Sequence, residues 1–207
     1  MTASAEEILA FWFGEPAVDA AAVQVLMKRW FHTDSEQDAL TRDRFGSAMA
    51  DAAASRLQNW EGRPRSRLAL ILLLDQFPRN VFRGTAAAFE QDAKALNLTI
   101  NGIAAAQDRD LGPFERLFFY MPMQHSESIA VQNRSVELFD ELARSAGTDF
   151  LADALASSAD YARQHRDIIA RFGRFPHRNE ILGRTSTEAE VRFLEQGGAT
   201  FGQDHEP

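Results

Sequence analysis

The stretch "RLALILLLDQFPRN", residues 67–80, is apolar on nearly every side from Leu68 to Leu74 and then turns abruptly polar at Asp75. A helix that is hydrophobic all round has no face to offer water, so this run predicts a helix buried in the middle of a helical fold. "EGRPRS", residues 61–66, separates it from what precedes. Proline at Pro78 predicts that the helix stops before Arg79, because proline disfavours helical backbone at the residue in front of it.

Working outward, the periodicity is helical nearly throughout. Ser4 or Thr2 can cap a first helix carrying Ile8, Leu9, Phe11, Trp12 and Phe13, with Gly14 as its stop. Val23, Leu26, Met27, Trp30 and Phe31 form one stripe at i, i+3, i+4, i+7, i+8. Thr33 or Asp34 opens a helix through Leu40, Phe45, Met49, Ala53 and Leu57 to about Trp60. Beyond the buried run, Thr85 can cap a helix through Phe89, Ala93 and Leu96. "GPFERLFFYMPM" reads as a short aromatic helix opened by Pro113 and ended before Pro122. "ESIAVQNRSVELFDELARSAG" is amphipathic and closes at Gly147. Thr148 or Asp149 starts a long helix to Phe172, and Ser186 or Thr187 caps a last one.

About nine helices, short links and no strand pattern predict an all-α fold of stacked antiparallel hairpins. One domain over residues 1–198 is expected, with a frayed tail over 199–207. The 207 residues suffice for one sizeable core. No strict repeat period emerges, which excludes a regular tetratricopeptide array and leaves a degenerate, compact relative of that superhelix open.

The net charge of −8 and a pI near 5.1 oppose whole-surface binding to nucleic acid or anionic membrane. Cysteine is absent, which excludes disulfides, thiolate metal sites and cysteine nucleophiles. The start "MTASAEEILAFWFGEP" carries glutamates where a secretory signal would carry positive charge, so a cytoplasmic location is expected. Twenty arginines stand against two lysines, Lys28 and Lys94. Heavy alanine use suggests codon bias as the cause, so an arginine counts toward function only by its position.

Three runs, "LALILLLDQFPRNVFRGTAAAFEQDAKAL", "ERLFFYMPMQHSES" and "YARQHRDIIARFGRFPHRNEILGRTSTEAEVRFL", together with "ILAFWFG", resemble an uncharacterised bacterial family, domain of unknown function 924. The resemblance spans almost the whole chain. It implies an all-helical, tetratricopeptide-like superhelical fold and no activity, so it assigns no catalytic residue.

Chemistry is sought where charge meets the apolar run. Asp75 sits in register with Leu68, Ile71 and Leu72 on a face that should be buried, near a helix C-terminus whose dipole opposes a carboxylate. It therefore needs a cationic partner: Arg79, Arg178 or His177. It is either half of a buried salt bridge locking two loops, or a general base or metal ligand. The segment "DQFPRN" is echoed by "FPHRN" at residues 175–179, and each places Arg-Asn after Phe-Pro: Arg79 with Asn80, Arg178 with Asn179. Asparagine there can adopt left-handed backbone. If the helices ending at Phe77 and Phe172 lie side by side, Arg79, Arg171, Arg174 and Arg178 share one rim. Asp75, Asp167, Glu115 and Glu127 are the carboxylates available to them. The rim is then a cross-linked polar hub or an anion-binding cleft, and arginine's planar fork suits either.

His165 falls on the inward stripe of its helix with Ile168 and Ile169. His125 lies at the mouth of the next helix, beside Ser126, the more obvious cap. With His177 and Asp75 these are the candidate catalytic groups, and Arg79, Asn80, Glu127, Arg171, Arg174, Arg178 and Asn179 the candidate ligand-binding ones. No metal, triad or nucleotide signature occurs and no cofactor is implied. Tyr120 could floor a cleft. Two readings stand: a cleft for a small phosphate or carboxylate ligand, with enzymatic activity open, or a tetratricopeptide-like module binding an acidic peptide or partner.

Overall fold

Pro78 does not stop the central helix. In the computed structural model, which describes residues 3–202, α4 (Pro64–Ile71) runs into a π-helical segment, Leu72–Gln76, and on into α5 (Phe77–Val81). Proline offers no N–H and its ring crowds the carbonyl one turn back. The wider π turn, in which the Phe77 N–H reaches the Leu72 carbonyl, takes up that misfit. Phe77 keeps helical backbone at φ −62°, ψ −42°. The same correction applies to α7 (Pro113–Gln124), which carries Pro122 inside it.

The rod from Pro64 to Val81 is the axis of the fold. Leu68 to Leu74 are all buried, as the apolar run predicts. Around it pack α1 (Ala5–Phe13), α3 (Ser35–Ala53), α6 (Asp92–Ala104) and α7. Rings of Trp12, Phe45 and Phe118 meet there, Trp12 and Phe45 touching Phe77 at 5.5 and 5.4 Å between centroids. Gly102 lets α6 approach α7, since a β-carbon would stand 2.4 Å from the Phe119 ring. The remaining helices are α2 (Ala20–Phe31), α8 (Ile129–Arg144), α9 (Asp149–Phe172) and α10 (Glu188–Glu195). Counting Pro64–Val81 as one rod, the described residues form nine helical rods and no strand.

Consecutive helices α6, α7, α8 and α9 fold back on one another, and the α8–α9 pair is joined by four residues. Contacts also leap along the chain, α1 onto α4 and α2 onto α9, which an open solenoid touching only its neighbours would lack.

Several boundaries differ from the sequence reading. Asp34 caps α3, which ends at Ala53 rather than near Trp60; Ser55 turns left-handed at φ 57° and a 3-10 turn, Gln58–Gly62, follows. Thr85 donates to the Phe82 carbonyl instead of capping, and α6 begins at Asp92. Ser4 caps α1, while Thr2 lies outside the described residues. Helix α8 ends at Arg144, short of Gly147. The tail expected to fray after Gly198 instead packs: Ala199 and Phe201 lie against Ile168, Ile169 and Phe175, and Arg83 donates to the Gly202 carbonyl at 2.8 Å. Residues 203–207 of that tail lie outside the described residues.

Candidate functional site

Asp75 is fully buried in the π segment. Because the rod continues past Pro78, Arg79 follows one turn on and folds back over it, with Nη1 3.1 Å from Oδ1 and 3.0 Å from the Asp75 carbonyl. Gln76 Nε2 donates to Oδ2 at 2.6 Å, and His125 Nδ1 lies 2.7 Å from Oδ1. Burial alone would raise this carboxyl, but the Arg79 guanidinium and these hydrogen bonds hold it below the ordinary aspartate range. It is a paired buried carboxylate, as the sequence requires, with Arg79 and His125 as the partners rather than Arg178 or His177.

The two Phe-Pro corners do meet. Arg79 binds Asp92 at 2.9 Å, and Arg178 Nη1 reaches Asp92 Oδ2 at 3.3 Å and the His125 carbonyl at 3.2 Å. The means differs from the one expected. Helix α9 packs chiefly on α8, with α7 and α2, and the corners are joined by Asp92 at the start of α6 and by His125 at the end of α7. Sequence reasoning missed Asp92; the first turn of a helix favours a carboxylate, but nothing local marks it as a bridge.

The imidazoles converge. His125 and His165 stand 6.2 Å apart between ring centroids, and Phe201 stacks on His165 at 3.6 Å. Phe175 lies 5.7 Å from His165 and 5.6 Å from His177. His165 donates Nδ1–H to the Tyr161 carbonyl, 2.8 Å away. Burial and the charge of Arg79 lower the His125 pKa, and burial lowers that of His165 well below the ordinary value. His177 is pushed down to about 3 by burial and by the neighbouring charge of Arg178.

Arg178 itself is 6% exposed, held between the rings of Phe89 and Phe175 at 4.6 and 4.4 Å. Burial and the charge of Arg79 lower it to about 10, so it stays cationic at neutral pH. Beneath it Glu127 and Arg184 form a two-pronged pair at 2.8 and 3.0 Å, and both grip the Phe175 backbone: Glu127 accepts from its N–H at 2.8 Å and Arg184 donates to its carbonyl at 3.1 Å. Arg184 was not among the expected residues, although it closes the same basic stretch.

The other arginines of the expected rim lie elsewhere. Arg174 is bound to Glu190 at 2.6 and 2.8 Å, and Arg171 lies over Phe172 and Phe193. Both line a separate surface depression of about 530 Å³ with Thr187. Glu115 pairs with Arg65 and Asp167 with Arg166. Asn80 is helical and half-buried without a side-chain hydrogen bond among the described residues; Asn179 is buried, helical rather than left-handed, and donates to Ser186 Oγ at 3.1 Å. Tyr120 is core, donating to Asp108 at 2.6 Å. Among the described residues no three histidine or carboxylate side chains are arranged to hold a metal ion, and no helix is long and apolar enough to cross a membrane.

The model of a family of bacterial proteins of unknown function, DUF924, matches residues 8–198. A solved structure, a protein of unknown function from Agrobacterium tumefaciens, is 39% identical, with a TM-score of 0.77 over 93% of this chain and 97% of that one. No curated protein matches.

Proposed function

The chain belongs to the bacterial DUF924 family, which carries no activity over to it, and on that premise we propose that its Arg178 cluster binds a small anion, a phosphate or a carboxylate. One observation carries this reading. A guanidinium has five donors, yet Arg178 uses only Nη1, on two long bonds, and its buried Nε has no partner among the described residues. Leaving such donors unfilled in a buried place is costly. In the same loop His177 Nδ1, the donor Arg184 Nε and the acceptor Asn179 Oδ1 also lack hydrogen-bond partners, as do five buried polar atoms elsewhere among the described residues.

Net charge does not supply the attraction. Arg79, Arg178 and Arg184 are matched by Asp75, Asp92 and Glu127, so the case rests on unfilled donors of a guanidinium packed against the rings of Phe89 and Phe175. A carboxylate or phosphate oxygen pair fits that fork.

The test is thermal unfolding across phosphate, pyrophosphate, citrate and a short polyglutamate peptide. At a hundredfold excess over Kd, binding adds about 2.7 kcal/mol, worth roughly 2–4 °C per kcal/mol in a domain of this size. Phosphate or citrate should raise Tm by several degrees, and Arg178→Ala should abolish the rise with helix content retained. Arg171→Ala, outside the cluster, should keep it. Stabilisation by the peptide alone would favour the interaction-module reading instead.

A further inference from the structure

We infer that Asp75 and His125 form a carboxylate–imidazole dyad whose free nitrogen, Nε2, accepts a proton from the anion held at Arg178, making the site reactive rather than a passive receptor. The inference rests on the anion reading above and adds the chemistry.

The tautomer follows from the partners. Asp75 is ionised under Arg79 and Gln76, so it can only accept, and the 2.7 Å contact places the proton on His125 Nδ1. Nε2 is then the lone-pair nitrogen, and it makes no hydrogen bond to the described residues. A buried carboxylate that fixes the ring and its tautomer, and that would face the imidazolium once formed, is the arrangement a positioned base requires. Asp75 does not need His125 for its own sake, since Arg79 and Gln76 already engage both of its oxygens.

The dyad is also tied to the anion-binding group. Arg178 donates to the backbone carbonyl of His125, so the residue that carries the base also meets the guanidinium. The ring is 12% exposed at its side chain, buried enough to be oriented and open enough to be reached. In the step, an O–H or activated C–H of the bound anion gives its proton to Nε2. The electron pair stays on the substrate oxygen or carbon, and the other proton stays on Nδ1, donated to Asp75.

The reactivity of Nε2 can be read without knowing the substrate. Diethyl pyrocarbonate acylates a neutral imidazole nitrogen, which attacks its carbonyl and expels ethyl carbonate. His32, exposed at the end of α2, is the internal reference. At pH 6, peptide mapping should show His125 modified at least as fast as His32 despite its burial. Inorganic phosphate should slow His125 and leave His32 unchanged. Asp75→Asn should lower the His125 rate roughly tenfold, the weight of one pKa unit in proton affinity. His125 inert while His32 reacts, or His125 indifferent to Asp75→Asn, overturns the dyad. If Asp75→Asn does not fold, the wild-type ratio and the phosphate protection decide. A phosphate thermal shift with an inert His125 leaves the anion reading standing and removes only the base; a reactive His125 with no shift and no protection removes both.

Discussion

Phe77-Pro78-Arg79-Asn80 and Phe175-Pro176-His177-Arg178-Asn179 are nearly the same words, and the chain folds them in two ways. At the first corner the proline is absorbed by a π segment inside a continuous rod, and Arg79 is spent on Asp75, Asp92 and a backbone carbonyl. At the second, Phe175 is extended at φ −87°, ψ 110°, Pro176 opens a short 3-10 turn, and Arg178 makes only long bonds, to the Asp92 Oδ2 it shares with Arg79 and to the His125 carbonyl. The carboxylate supply makes the difference. A carboxylate four residues before Arg79 closes its fork; four residues before Arg178 stands Arg174, which is bound to Glu190. The first corner is a lock, and the second keeps donors in hand.

The sharpest way to break that contrast is to remove each guanidinium at nearly constant volume. Arg79→Met takes the arginine from the wholly buried Asp75 and leaves Asp92 with only its long bond to Arg178, and should cost about 3–5 kcal/mol in urea unfolding. Arg178→Met loses one long ion pair and its ring contacts and relieves repulsion from Arg79, so about 1–2 kcal/mol is expected. Equal costs would mean that the second corner is as locked as the first, and the anion reading would lose its footing.

What was legible follows the same divide. The all-helical class, the buried apolar run and the caps at Ser4, Asp34 and Thr187 are local matters of period and side-chain hydrogen bonding. Asp75 was found because a carboxylate ending an apolar run must be paired. Pro78 and Pro122 misled, because a proline's local veto can be met by a π turn or by tertiary packing that one sequence does not display. Asp92 and Arg184 were invisible for another reason: their partners, Arg178 and Glu127, stand 86 and 57 residues away, and no periodicity encodes such a pairing.

Acid separates the corners next. His177, ordinarily near 6.5, is pushed down to about 3 in the fold by burial and by the charges of Arg178, Arg79, Arg184 and His125. Between these values the unfolded chain binds the extra proton, so this contribution is whole above pH 6.5 and is lost as pH falls toward 3. His125 and His165 push in the same direction. Asp75, lowered below its ordinary 3.8, keeps its contribution until the pH falls beneath that value. The second corner should therefore weaken first on acidification. Urea melts from pH 7 to 4 should lose up to about 1.4 kcal/mol per pH unit for each proton taken up on unfolding, and His177→Gln should flatten the slope. An unchanged slope would return the acid limb to the carboxylates.

The smallest contrast is between the two asparagines. Asn179 is 1% exposed and its side-chain amide donates to Ser186 Oγ at 3.1 Å, tying the loop that carries Arg178 to the approach of α10. Asn179→Ala should cost about 1 kcal/mol. Asn80 sits in α5 with no side-chain hydrogen bond among the described residues, and alanine is the better helix former, so Asn80→Ala should stay within about 0.5 kcal/mol of the parent or gain slightly. Should the order reverse, the asparagine of the rod would be doing the work assigned to the asparagine of the loop. The phosphate response gives the same pair a second reading. Asn179→Ala frees the segment between His177 and Arg184 and should weaken the thermal shift, whereas Asn80→Ala leaves Arg178 untouched and should preserve it. A loop that tolerates Asn179→Ala with its phosphate response intact would place the rigidity of Arg178 in Phe89 and Phe175 alone.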